Sequence, residues 1–423
     1  LNPLWLVIAF VVTAFLPGLV RRFGSRPTVD QLRRDWGRRP DRPFDAALAA
    51  EAWTVAGPGT LGDTCTDDHT WVDLHMDDVL AEIDRTRTAL GCQSLYRRIR
   101  LGSRWVDSPQ LEELAIRFGT DSGLRERVGM TLAGQGRFLG KGLWLMTRPD
   151  VIQIRWWYRV FPILTIGMIL SLASTVFEPA LILVAFVLAC VNLGIRGLTQ
   201  WQVPGILAPM GQMAPLLGTA DRLSRMPELE ASRPIDLMGS LARLKPLRRI
   251  AAWVTRGSDP SEVSSMAEWI NLIFLLDANA LFFGARYIRS EAAVLKEIAE
   301  WVGDVDLALG IASLRAEPRC WCIPGWEEGA HATAEGVWHP LIESAVANDV
   351  ELTPGAGLVI TGANASGKTT YIRSVGVAAV MAVALNTCPA TSWRGGPFRV
   401  MSMIGGGDDL LGGRSYYEVE VER

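Results

Sequence analysis

The sequence has no surplus of charge of either sign: 42 lysines and arginines stand against 45 aspartates and glutamates, a formal net charge of −3 over 423 residues. The overall basic balance that marks many nucleic-acid binders is therefore absent. Zinc-type cysteine spacing is missing too. The six cysteines are scattered, and Cys320-Trp321-Cys322 is their one close pair. They read as ordinary reduced thiols of a cytosolic part rather than a metal or disulfide site. No internal repeat and no low-complexity tract occurs.

Apolar residues, by contrast, are plentiful, at 49% of the chain. Residues 3–20 carry no charge and end at Arg21-Arg22, a length within the window of roughly 17 to 25 residues for a membrane-crossing helix. No basic segment precedes them and no small-residue cleavage site follows, so a retained anchor is expected rather than a signal peptide. A second apolar block, 160–195, is broken by Glu178-Pro179 and reads as two short helices with a tight turn. Trp156, Trp157, Tyr158 and the arginines 155, 159 and 196 flank it, as a membrane interface selects. A buried core hairpin is the competing reading. The positive-inside rule then puts 21–159 and 197–423 in the cytoplasm, with the N-terminus and the Glu178 turn outside, a multi-pass protein of the cell membrane. Arg21, Arg22, Arg26, Arg33, Arg34, Arg38, Arg39 and Arg42 crowd one stretch. Beside a membrane helix they mark the cytoplasmic side and suit anionic lipid.

Residues 43–70 look loop-like. From Trp71 apolar positions recur at helical steps, a helix is expected through Arg85–Leu90, and another from Pro109 to about Arg117 with Ser108 as its N-cap. Helices are expected around 238–256, 262–286, 288–302 and 304–315. After Pro324 the character turns β-rich, and Gly357-Leu358-Val359-Ile360-Thr361 reads as a buried strand. The chain opens at Leu1 with no Met and stops at Arg423, soon after the next motif. It is read as a piece of a longer protein, its last domain incomplete at the C-terminus.

That motif is Gly362-Ala363-Asn364-Ala365-Ser366-Gly367-Lys368-Thr369, followed by Thr370 and a helix to about Leu385. A strand, a glycine loop and a helix in this order form a P-loop. The glycines let backbone N–H groups face phosphates, and the helix N-terminus adds partial positive charge. Lys368, the catalytic candidate, is placed to reach the β- and γ-phosphates, and the Thr369 hydroxyl to ligate Mg²⁺. ATP and Mg²⁺ are the cofactors expected.

The residues around the loop are more specific. GANASGKTTYIRSVGVAAVMA resembles the MutS-family loop, and Trp338-His339-Pro340-Leu341 is similar to the segment opening the MutS ATPase domain. Gly407-Asp408-Asp409-Leu410-Leu411-Gly412-Gly413-Arg414-Ser415 resembles the family's signature loop, and Glu420 matches an acidic residue beyond it. More weakly, 83–91 looks like the start of the MutS helical core and 304–310 like its last lever helix.

The resemblance implies a multidomain chain: transmembrane helices plus an all-α lever/core, followed by an α/β P-loop NTPase domain of the ABC/MutS type. The expected divisions are an anchor (1–20), a basic, loop-rich cytoplasmic linker (21–70), the start of the helical core (71–159), the membrane hairpin (160–195), the core and lever (196–323) and the first part of the ATPase domain (324–423). It further implies a homodimer in which Asp408, Asp409, Gly413, Arg414 and Ser415 complete the partner's ATP site, with Asn364 close to the phosphates. The family's Walker B carboxylate and switch histidine would lie beyond Arg423, so hydrolysis by these residues alone is expected to be very slow. Ala345 stands before Val346-Ala347-Asn348-Asp349 where some relatives stack an aromatic on adenine, and Gly412 stands where a serine is usual. No mismatch-reading Phe-x-Glu domain opens the chain, and 205–290 leaves no room for a DNA clamp. The expected function is thus a membrane-anchored ATPase or ATP-switched module whose nucleotide state moves helical levers. The alternative is a membrane-tethered DNA-binding protein of the mismatch-repair type.

Overall fold

The computed structural model describes residues 28–56, 65–102, 105–134, 141–148, 156–199, 204–254, 273–329 and 331–404. The 1–20 anchor, the arginines at 21, 22 and 26, and the signature-loop residues Asp408, Asp409, Gly413, Arg414 and Ser415 lie outside them. The described residues are mostly helical, with one small mixed sheet among them. It divides into two compact units, one comprising Met130–Val302 with Leu1–Thr28 and Thr88–Leu90, the other Val29–Arg87, Gly91–Gly129 and Gly303–Arg423.

In the first unit, Val160–Ser174 and Ile182–Thr199 form a helical hairpin around a turn at Glu178-Pro179. Its outer side chains face solvent: Ile163, Ile166, Leu183 and Phe186 are exposed, as is Phe177 at the turn, at 89%. Trp156–Ser174 is long and apolar enough to cross a membrane, whereas Pro179–Ile195 is shorter. At the hairpin's aromatic base, Trp157, Tyr158 and Phe161 contact one another. Three polar side chains tie the hairpin to the start of the Leu276–Ser290 helix. Thr165 Oγ1 donates to the Phe274 carbonyl at 2.8 Å and receives Asn279 Nδ2 at 2.7 Å, while Asn192 Nδ2 donates to the Ile273 carbonyl at 2.6 Å.

Helix boundaries depart from expectation at several places. Ala46–Ala56 is a helix inside the stretch read as loop; its alanine-rich sequence favours helix, and the Gly/Pro cluster that suggested a loop starts only at Gly57. No helix runs through Arg85–Thr88. Asp84 Oδ1 instead accepts from both Thr86 N (2.9 Å) and Thr86 Oγ1 (2.6 Å), a local turn that competes with helix, and the next helix begins at Ala89. The helix after Trp71 is also interrupted, because His75 sits in the left-handed region (φ 52°) between Asp68–Asp73 and Met76–Ile83. The two helices expected at 288–302 and 304–315 include one continuous element, Ala292–Arg315. Ser108 precedes Pro109–Thr120, but its side chain makes no capping bond; Ser108 Oγ accepts from Arg98 Nη2 at 3.1 Å.

The second unit brings the two weaker MutS-like islands together. Both carboxylate oxygens of Asp306 accept from Arg87 N, at 2.9 and 3.1 Å, and Ser94 Oγ donates to Asp304 at 2.6 Å. Ion pairs then bind 82–87 to 315–319: Arg85–Glu317 at 3.0 Å and Arg319–Glu82 at 2.7 Å. Arg315 forks onto both oxygens of Glu112 at 2.7 and 2.9 Å and also donates to Thr387 Oγ1 and the Asn386 carbonyl. Burial alone would raise the Glu112 carboxyl, but the bonds from Arg315, Asn386 and Trp105 outweigh it and hold the group below its usual range.

Four short strands follow: β1 (Gly325–Trp326), β2 (Ala332–Val337), β3 (Asn348–Leu352) and β4 (Ser392–Gly395). They lie in the order β1-β4-β2-β3, with β1 parallel to β4 and the other pairs antiparallel. The Lys368–Leu385 helix covers this sheet through Ala378, Ala379 and Ala382, which share a core with Ala332, Ala334, Val350, Cys388 and Trp393. Its small residues allow the close approach. Although apolar and long enough to cross a membrane, this helix is 56% buried inside the unit, as a core helix is.

One expectation fails here. Gly357–Thr361 is not a buried strand: no strand pairs with it among the described residues, and Val359 is 84% exposed. A parallel strand is buried only when neighbours and covering helices flank it, and its own Val/Ile content cannot supply them.

Candidate functional site

The phosphate-loop residues singled out from the sequence form one surface loop and the first turn of the helix after it. Gly362 to Gly367 are exposed, Lys368 and Thr370 are half-buried, and Thr369 is exposed. A turn closes inside the loop, with Ser366 N donating to the Ala363 carbonyl at 3.2 Å. Gly367 then takes a left-handed φ of 90° as the helix N-cap, a conformation open to glycine at little cost. Ala365 also holds a positive φ, of 63°, which a side chain adopts only against some strain.

The helix starts without a side-chain cap. Its first N–H groups therefore keep the donor capacity and partial positive charge of a helix N-terminus. The Lys368 ammonium curls back over the loop and donates to the carbonyls of Gly362 at 2.7 Å and Ala363 at 2.6 Å. Cation and uncapped amides thus converge on one small curl of backbone, an arrangement able to hold an anion with several oxygens.

Supporting contacts reach the loop helix from both sides. Tyr371 Oη donates to the carbonyl of Asp349 on β3 at 3.0 Å. Two residues on, Arg373 Nε donates to the carbonyl of Asp73 at 2.8 Å. The Asp73 carboxylate accepts from Ser402 Oγ at 2.9 Å and from Ile404 N at 2.8 Å, while Thr70 Oγ1 accepts from Ser402 N at 3.1 Å. One short helix, Asp68–Asp73, thereby holds both the loop helix and the segment leading toward residues 407–415. The sequence reading missed Asp73 and Arg373, since no local spacing links positions so far apart.

His339 of the Trp-His-Pro-Leu segment is buried, and its Nδ1 accepts from Leu341 N at 3.3 Å. Burial pushes its pKa below the usual value, and the nearby charges of Arg373 and His75 push the same way. Trp338 anchors the segment by donating to the Cys320 carbonyl at 2.9 Å. Among the described residues no group of three or more His, Cys, Asp or Glu side chains is arranged to hold a metal. Thr369 is the one expected Mg²⁺ ligand they contain.

Three of the five described arginines of the basic stretch are ion-paired within the fold. Arg33 pairs with Glu126 at 2.7 Å, Arg39 with Glu82 at 2.6 Å, and Arg42 with Asp84 at 3.1 Å.

Comparison with known proteins meets the same region. The family model for MutS domain V matches residues 358–423. The DNA mismatch repair protein MutS of Thermosynechococcus vestitus is 36% identical over 142 residues, which is 32% of this chain and 16% of that protein. Its namesake from Dinoroseobacter shibae is 33% identical over 141 residues, 31% of this chain and again 16% of the relative. The match therefore spans about a sixth of those relatives' length. Over that span, which includes the loop, its helix and the segment beyond, the chain is similar to MutS proteins.

Proposed function

We propose that the chain is an ATP-binding P-loop module of the MutS type, anchored in the cell membrane, in which nucleotide state moves the helical levers. The observation that carries this reading is the placement of Lys368. It opens a helix that no side chain caps, and its ammonium lies in the curl of the glycine loop. In this reading the backbone N–H groups of Gly362 to Thr370 and the Lys368 ammonium bind the phosphates, with Asn364 close by. The Thr369 hydroxyl holds Mg²⁺, which when bound neutralises charge on the β- and γ-phosphates. Residues 408–415 complete the site of a second copy, so a homodimer is the working form. Turnover needs a carboxylate to position water, and the residues assigned to the phosphates and Mg²⁺, Gly362 to Thr370, include none.

Membrane anchoring draws support from the exposed apolar faces of the 160–195 hairpin and the aromatic residues at its base. The N-terminus and the Glu178 turn lie outside, and the loop faces the cytoplasm.

The test is nucleotide binding by the full chain, followed with a fluorescent ATP analogue. Lys368→Ala removes the one cation in the curl and should weaken binding at least tenfold. Unchanged affinity would overturn the assignment.

A second reading, a membrane-tethered DNA-binding protein, is favoured by the names of the relatives. Phosphate contacts must give an affinity that falls with salt. Three arginines of that stretch, Arg33, Arg39 and Arg42, are ion-paired within the fold. A steep salt slope for duplex DNA binding would nonetheless establish the second reading over the first.

A further inference from the structure

The segments leading into β1 and β4 place two cysteines opposite each other across a backbone bridge. Cys322 lies between the Ala292–Arg315 helix and β1; Cys388 lies between the Lys368–Leu385 helix and β4. The two residues form an isolated antiparallel bridge, exchanging both backbone bonds: Cys322 N to Cys388 O and Cys388 N to Cys322 O, each 2.9 Å. Residues that exchange both bonds sit with Cα atoms about 5.5 Å apart. That separation falls inside the roughly 4.4 to 6.8 Å that a disulfide spans. Their side chains also share one core, where Cys322 packs against the cluster containing Cys388.

We propose that Cys322 and Cys388 are a redox-modifiable pair, closed reversibly to a disulfide by peroxide-class oxidants. Both are free thiols here, but their settings differ. Cys322 is half-buried, so a small oxidant can reach it; Cys388 is fully buried. Hydrogen bonding from Cys388 lowers the Cys322 pKa, whereas burial raises that of Cys388. The two thus differ in thiolate character in the direction that makes Cys322 the attacking sulfur.

The chemistry balances in two steps. The Cys322 thiolate attacks one oxygen of hydrogen peroxide; the O–O bond breaks, and the sulfur becomes a sulfenic acid as one water leaves. Cys388 sulfur then attacks the Cys322 sulfur, the S–O bond breaks, and its hydroxyl leaves with the Cys388 proton as a second water. Two thiols are oxidised and one peroxide is reduced to two waters. A thiol reductant reverses the bond by exchange. In a reducing compartment such a bond is transient, as a sensor requires. Its effect is to fasten covalently the end of the loop helix to the segment that follows the Ala292–Arg315 helix. The proposal does not depend on nucleotide binding.

The test treats the full chain, reconstituted in vesicles, with hydrogen peroxide, alkylates remaining thiols in denaturant, and maps the digest by mass spectrometry without reduction. The expected result is a Cys322–Cys388 linked peptide pair, lighter by two hydrogens than the sum of its parts and lost on adding dithiothreitol. Oxidation should also raise the melting temperature of the wild type and leave that of Cys322→Ser unchanged. In Cys388→Ala, which keeps the core apolar, Cys322 should instead accumulate as a sulfenic acid that dimedone traps. Recovery of Cys322 and Cys388 as alkylated thiols after peroxide would overturn the proposal. So would linkage of Cys320 to either of them in place of the 322–388 pair.

Discussion

Arg373 Nε and the backbone carbonyl of Asp73 are 2.8 Å apart, and the Asp73 carboxylate is bonded in turn to Ser402 and Ile404. A single aspartate therefore grips the loop helix through its main chain and the 402–404 segment through its side chain. Movement of either is felt by the same short helix.

Asp73→Ala removes the acceptor of two bonds while leaving the carbonyl that Arg373 uses. Hydrogen bonds to a charged group contribute about 1.5–3 kcal/mol each, so the variant should lose roughly 3–6 kcal/mol of stability. Hydrogen exchange at Ile404 should accelerate by orders of magnitude, while exchange in the Lys368–Leu385 helix changes far less. Equal protection at Ile404 in variant and wild type would contradict the role.

Gly376 lies on the loop helix where it meets Leu74. A Cβ built at this position would sit 2.8 Å from Leu74 Cδ2, and Leu74 is itself almost fully buried. Gly376→Val should therefore cost about 1–3 kcal/mol by overpacking. The double variant Gly376→Val with Leu74→Ala should be more stable than the sum of the two single losses allows. Urea unfolding of the detergent-solubilised chain, followed by tryptophan fluorescence, measures all three; strict additivity would rule the contact out as the cause.

Acid should weaken the fold through His339. Its folded pKa is depressed, so the unfolded chain binds a proton more readily than the native one. The contribution is complete above the unfolded value of about 6.5. It is lost as pH falls from there through the depressed folded value. The midpoint of urea unfolding should drop across that window in the wild type and drop less in His339→Gln. An identical pH slope in the two proteins would place the dependence elsewhere.

The hairpin makes a topological prediction. A cysteine introduced at Glu178 in intact cells should label with a membrane-impermeant reagent, whereas one at Thr391 should label only after lysis. The chain should also stay with membranes through alkaline extraction. Release into the soluble fraction would mean that the exposed faces of Val160–Ser174 and Ile182–Thr199 meet protein and not lipid.

What could be read from the sequence was what is encoded locally. The glycine loop, the helix after it and the Glu178-Pro179 break all depend on residues within a few positions of one another, and each is present where spacing put it. The helix began two residues earlier than expected, at Lys368. Misreadings arose where a distant partner decides. Val359 has the composition of a buried strand, yet it is exposed because burial is a property of neighbours. Asp84 ended a helix that periodicity continued, because its side chain bonded Thr86 N in place of the helical backbone pattern. Asp73 with Ser402 and Cys322 with Cys388 are pairings between remote positions, to which no periodicity in one sequence is sensitive.

The position of the Lys368 ammonium has a consequence for how the loop meets an anion. Two carbonyl oxygens already solvate that charge, at 2.7 and 2.6 Å. An incoming anion must therefore compete with the protein's own backbone, exchanging one set of oxygen ligands for another. Binding there is a substitution at a pre-solvated cation, and the net gain is the difference between two attractions, smaller than either alone. A loop built this way discriminates by charge density: an anion with a single diffuse charge has little to offer over two carbonyls, while a multiply charged one displaces them.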